Sequence, residues 1–120
     1  MRLIDNTQYF AYDCPMDIQE SPFFQSFANS IMTGKEFRGF LVQAKELANA
    51  EELEGHLERL IKAESRTLQI DYYLSTALNT LFVLTGHIVR AGEPRTKEKK
   101  ALHEYLTEIK RLEDSHEDEE

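Results

Sequence analysis

The residues of this 120-residue chain whose types lend themselves to chemistry are four histidines, His56, His87, His103 and His116, and one cysteine, Cys14. On a helix, Glu52 and His56 lie at i, i+4 on one face, a separation that can bridge a metal ion. A di-metal helical bundle, however, needs Glu-x-x-His pairs on two helices and inward glutamates on the facing ones, a set the chain does not supply. Glu52 is already explained as the capping-box partner of Asn49. A phosphotransfer bundle with His56 as phosphoryl acceptor is the other chemistry this position allows. Such a site wants cations, whereas Glu52, Glu54 and Glu58 surround His56 and Arg59 is its one close base.

His87 stands beside Gly86 in the most apolar part of the chain. It reads as a core or interface histidine, and Gly86 as a point where another part of the structure comes close. Cys14 has acidic neighbours, Asp13 and Asp17, which disfavour a thiolate, so an inert thiol is expected. A single cysteine excludes an intrachain disulfide and a multi-cysteine metal knuckle. Neither a nucleophile elbow nor a glycine-rich phosphate loop is present. These residues therefore predict no catalytic group, no metal and no cofactor; a metal or phosphotransfer helical bundle using His56, or an enzyme or metal protein centred on His87, is the alternative of lower rank.

Charge is unevenly placed. The formal net charge is −8, but residues 113–120 hold six acids, and the rest of the chain has 16 acids against 14 bases. Arg90, Arg95, Lys97, Lys99 and Lys100 form one basic cluster that could meet phosphate. Glu93 and Glu98 dilute it, and no aromatic residue interleaves there for base stacking. A solvated turn that pairs with the acidic tail is the expectation, and direct nucleic-acid binding is not. A nucleic-acid-related alternative is acidic mimicry of DNA, with Glu46, Glu51, Glu52, Glu54 and Glu58 adding to the tail.

The elements that must position these groups read as helices. Ser21-Pro22 is a capping hydroxyl with proline at the first helical position. Phe23, Phe24, Phe27 and Ile31 then form one face, which Gly34 ends. Phe37, Phe40, Leu41, Ala44, Leu47 and Ala48 mark a second helix. Asn49-Ala50-Glu51-Glu52 starts a third, with Leu53, Leu57, Leu60 and Ile61 as its stripe. Leu68 to Val89 is apolar nearly all round and predicts a central helix. Gly92-Glu93-Pro94 stops it, and Thr96 caps a last helix striped by Leu102, Leu106, Ile109 and Leu112.

The fold class expected is all-α: an antiparallel bundle of four to five helices with a short irregular or β-like N-terminal arm. Its divisions are an arm over 1–20, where Leu3-Ile4 could pair with Tyr9-Phe10, a bundle over 21–112, and a disordered acidic tail over 113–120. The stretch Ala77–Val89, at 13 residues, is the most apolar and is interrupted by polar ones, while a bilayer span needs about 20. With no signal-like N-terminus, a cytoplasmic protein is expected.

By elimination, the function expected is that of a non-enzymatic interaction module, an adaptor, inhibitor or regulator. Its protein partner, or a second copy in a homodimer, would meet Leu102, Tyr105, Leu106, Ile109 and Leu112 and the aromatics Tyr9, Phe10 and Tyr12. Glu113, Asp114, Glu117, Asp118, Glu119 and Glu120 would act electrostatically.

Overall fold

Ser21 and Pro22 do start a helix. The computed structural model describes residues 16–50 and 52–118 (for 117 and 118, the backbone alone) and places α1 at Pro22–Ser30, behind a short strand β1 at Asp17–Glu20. The Ser21 hydroxyl accepts from the Phe24 amide at 3.0 Å, while proline occupies a first-turn position that needs no amide proton. The same hydroxyl donates to the Leu84 carbonyl, so the cap ties α1 to the sheet.

Gly34 opens the next helix and does not end the first. α2 runs Gly34–Ala48 behind a Thr33 cap, with Thr33 accepting from the Glu36 amide at 3.1 Å and Glu36 accepting from the Thr33 amide at 2.9 Å. The capping box therefore lies here and not at Asn49–Glu52. Asn49 closes α2, its side-chain amide donating to the Lys45 carbonyl at 2.8 Å. Asparagine suits either end of a helix, which is why its direction cannot be read from type alone.

Beyond Asn49 the expected all-α bundle is overturned. Both the third and the central helix are replaced by a meander of three strands, β2 at Gly55–Lys62, β3 at Thr67–Ser75 and β4 at Thr80–Ile88. Strand order is β1-β4-β3-β2, with β1 parallel to β4 and the other pairs antiparallel. In β2 the operative period is two: Leu57 and Ile61 turn inward, while Leu60 points away at 50% exposure. In β3, Leu68, Ile70, Tyr72 and Leu74 share one buried face. β4 is buried on both faces, with α1 and α2 packed on one and α3, Thr96–Asp118, on the other. A strand covered on both sides is an unbroken apolar run, which carries no period to separate it from a buried helix.

Two cores result. Phe24, Phe40, Ala44, Ile70, Tyr72 and Val83 lie between α1, α2 and the sheet. Phe82, Leu84, Tyr105 and Ile109 lie between the sheet and α3. No described helix is long and apolar enough to cross a membrane.

The acidic stretch from Glu113 to Asp118 continues α3. Glu113 accepts from the Tyr73 hydroxyl at 3.0 Å and from the Ser75 hydroxyl at 2.7 Å. Burial, reinforced by Glu113, pushes Tyr73 up to about 12. Of the first segment, Asp17–Glu20 is the edge strand β1; Leu3, Ile4, Tyr9, Phe10, Tyr12 and Cys14, like Glu119 and Glu120, lie outside the described residues.

Glu36 has a second task. Arg66, in the β2–β3 turn, donates to its two carboxylate oxygens at 2.9 and 2.6 Å and to the Ile31 carbonyl at 2.8 Å, joining α1, α2 and the sheet. The Arg66 hydrogen bonds, opposed by burial and helped by the Thr33 amide, hold the Glu36 carboxyl at about 2, below its ordinary 4.5. A depressed acid stabilises the fold above its unfolded pKa and loses that contribution as pH falls through the folded one. Wild-type stability should therefore fall by on the order of 1–3 kcal/mol between neutral pH and the bottom of that window. Glu36→Gln keeps the cap but should start lower and lose less; urea unfolding at neutral pH and at about pH 3 checks both. Parallel pH curves for the two proteins would show that the pair contributes nothing.

Candidate functional site

A bulge in β4 assembles the polar cluster of this molecule. Tyr72 pairs with Val83 and Asp71 with Thr85, which leaves Leu84 as the extra residue. Bulges put two successive side chains on one face and re-aim the rest of the strand. Leu84 packs against Tyr105 and Ile109, and Thr85, next along, donates to Asp71 Oδ2 at 3.0 Å. His87 consequently reaches α3 as well, its Nδ1 2.8 Å from Glu98 Oε1. Gly86 faces the other way, onto α1.

Asp71 is almost fully buried on β3, yet both its oxygens are used. Oδ2 accepts from Thr85, and Oδ1 lies 3.1 Å from Nε2 of exposed His56 on β2. Arg95 Nη1 lies 2.8 Å from His87 Nε2 and 3.5 Å from Glu98 Oε1. The same Nη1 is 3.3 Å from His87 Nδ1, so the guanidinium lies over the imidazole ring and not along one nitrogen's lone pair, while Nδ1 faces Glu98. Burial, then the Arg95 charge, moves His87 below its ordinary value. Burial, with Asp71 adding to it and Arg95 opposing, pushes Glu98 up to about 7. Glu98 Oε2 is buried without a hydrogen-bond partner among the described residues.

His87 and Glu98 also form the inner wall of a cleft of about 690 Å³ between α1, the end of β4 and the 89–95 connection. β1 pairs with β4 only as far as Val83, so beyond it that edge of β4 has no β1 residue beside it, while the other edge stays paired with β3. Phe23 and Phe27 line the α1 side; Arg90, Glu93, Arg95 and Lys97 line the other, with Glu93 4.0 Å from Arg90. The Phe27 ring lies so close on Gly86 that a Cβ there would be 2.6 Å from it. Only glycine lets α1 approach the strand this closely.

Other residues singled out in the sequence fall elsewhere. Lys99 and Lys100 are exposed and do not line the cleft. Tyr105 and Ile109 are core residues against the sheet, and Leu102, Leu106 and Leu112 are half-buried. Asp114 is exposed on α3. Since His56 lies on a strand, its i, i+4 relation to Glu52 does not exist. Asp71 was not singled out at all. Its signal was available: an acid midway through Leu68-Gln69-Ile70-Asp71-Tyr72, flanked by buried apolar residues.

No protein-family model matches the chain, and no curated protein resembles it in sequence. The site must be interpreted from its own geometry.

Proposed function

We propose that the protein binds a phosphate-bearing nucleotide unit, free or within a single strand, in the cleft between α1 and the β4–α3 connection. The supporting observation is the convergence of Arg90, Arg95 and Lys97 with Phe23 and Phe27 on one concave site. Guanidinium forks suit phosphate oxygens, and phenylalanine faces accept a stacked base. The aromatics absent from the basic segment of the sequence come from α1 in space. The volume also falls within the range of small-ligand sites, about 300–1,000 Å³. The interaction-module reading has less behind it, because Tyr105 and Ile109 are already buried within the chain.

Fluorescence anisotropy with a labelled single-stranded oligonucleotide, competed by a nucleoside monophosphate, tests the proposal. Arg95→Glu should weaken binding at least about tenfold, the size of one charge-assisted contact, while the control Lys99→Glu changes it little. Competition by the free nucleotide at comparable concentration would identify a single-nucleotide site; its failure would identify a strand site. Binding by neither probe, or equal loss in both variants, would refute the cleft assignment.

A further inference from the structure

We propose that Asp71, His87 and Glu98 form a binding site for a divalent first-row transition ion, with Zn²⁺ as its best-matched member. One donor atom from each of β3, β4 and α3 comes within 4.8 Å of the others, with both carboxylates buried and His87 half-buried. Donor atoms around zinc at about 2.0–2.2 Å are themselves about 3.3–3.6 Å apart, so His87 Nδ1 and Glu98 Oε1, now 2.8 Å apart, would part slightly, and any pair wider than that spacing, up to 4.8 Å, would draw in. One nitrogen and two carboxylates suit zinc, whereas magnesium and calcium prefer all-oxygen sets.

Two independent features point to a ligand. Glu98 has a side chain only 7% exposed, and its Oε2 has no hydrogen-bond partner among the described residues, a costly state that a cation would relieve. Asp71, in turn, is held by His56 and Thr85 on separate strands, as the outer shell of a metal site holds a liganding carboxylate. Arg95 meets Glu98 at Oε1, 3.5 Å away, and leaves the buried Oε2 without a partner among the described residues.

Arg95 supplies the discriminating prediction. Arg95 Nη1 lies 3.3 Å from His87 Nδ1 and 3.5 Å from Glu98 Oε1, the donors a metal would take, so a bound dication would repel the guanidinium. The Arg95 side chain, 34% exposed, would then turn out into the cleft. Arginine and metal therefore compete for one histidine. This inference does not depend on the nucleotide proposal, because its test uses Zn²⁺ alone.

Titration of the full chain with Zn²⁺ against a chromogenic chelator should give one equivalent, and Co²⁺ should show visible ligand-field bands. His87→Ala should abolish uptake, and His56→Ala should weaken it about 10–100-fold. Arg95→Ala should strengthen it severalfold, an effect opposite to that of losing a ligand. His103→Ala is the neutral control, and circular dichroism shows which variants are folded. If His87→Ala does not fold, near-isosteric Glu98→Gln decides. No uptake by the wild type, uptake that survives Glu98→Gln, or weaker uptake in Arg95→Ala would overturn the site.

Discussion

Phe40→Ala should lose about 3–5 kcal/mol, which is much of the about 5–15 kcal/mol that holds a domain of this size together. Phe40 is fully buried on α2, its ring centroid 4.7 Å from Phe24, 5.5 Å from Phe37 and 6.3 Å from Tyr72. With no tryptophan in the chain, these rings are what join α1 and α2 to β3. Truncation leaves a cavity whose lining is held by separate elements. Tyr72 is further fixed by its hydroxyl, which donates to Gln43 at 2.7 Å, so the site has few ways to collapse. Phe40→Leu should lose roughly half as much. Urea unfolding of both variants would measure this, with a lowered midpoint and an unchanged slope. A loss below about 1 kcal/mol in Phe40→Ala would mean that the helices are held by something other than this cluster.

How far each element could be read from the sequence depends on the kind of signal it carries. Local chemistry was legible: Ser21-Pro22 starts α1, and the α3 stripe is helical. The β meander was not, for two separate reasons. Leu53, Leu57, Leu60 and Ile61 fit a helical stripe, but only Leu57 and Ile61 of the strand face the core, and Leu60 is an exposed strand residue. Across Leu68–Val89, burial on both faces removes polar punctuation. The remaining clue was Asn79, which takes a left-handed φ of 50° in the turn between β3 and β4. Asparagine is among the few side chains that tolerate that geometry, so it weighs against one continuous helix.

The site was half legible. His87, Gly86 and the basic cluster stood out by type, but their relation did not. A single extra residue, Leu84, sets the face on which Thr85 and His87 stand. No composition or spacing rule places a bulge, because its position depends on the partner strand's register. The aromatic wall was hidden for a similar reason. Phe23 and Phe27 lie roughly 65–75 residues before the cations that line the cleft with them.

Asp71→Leu should be the second severe variant, with an expected loss of about 3 kcal/mol. Leucine has aspartate's branching and heavy-atom count, with bulkier methyl ends, and cannot accept a hydrogen bond. The Thr85 hydroxyl, itself fully buried, would lose the acceptor it has at 3.0 Å. His56, exposed on β2, would lose a partner that water can replace. Most of the loss should therefore come from Thr85, and the double variant Asp71→Leu/Thr85→Val should recover much of it, since removing both partners of a buried bond can be nearly neutral. Thermal unfolding of the two singles and the double measures the coupling directly. A double variant about as stable as the wild type would mean that the polar cluster is dispensable for folding. Its retention in the core would then be explained by what it binds. A double variant worse than either single would instead make Asp71 a structural tether between β2, β3 and β4, and would remove one of the two supports for a metal at His87 and Glu98.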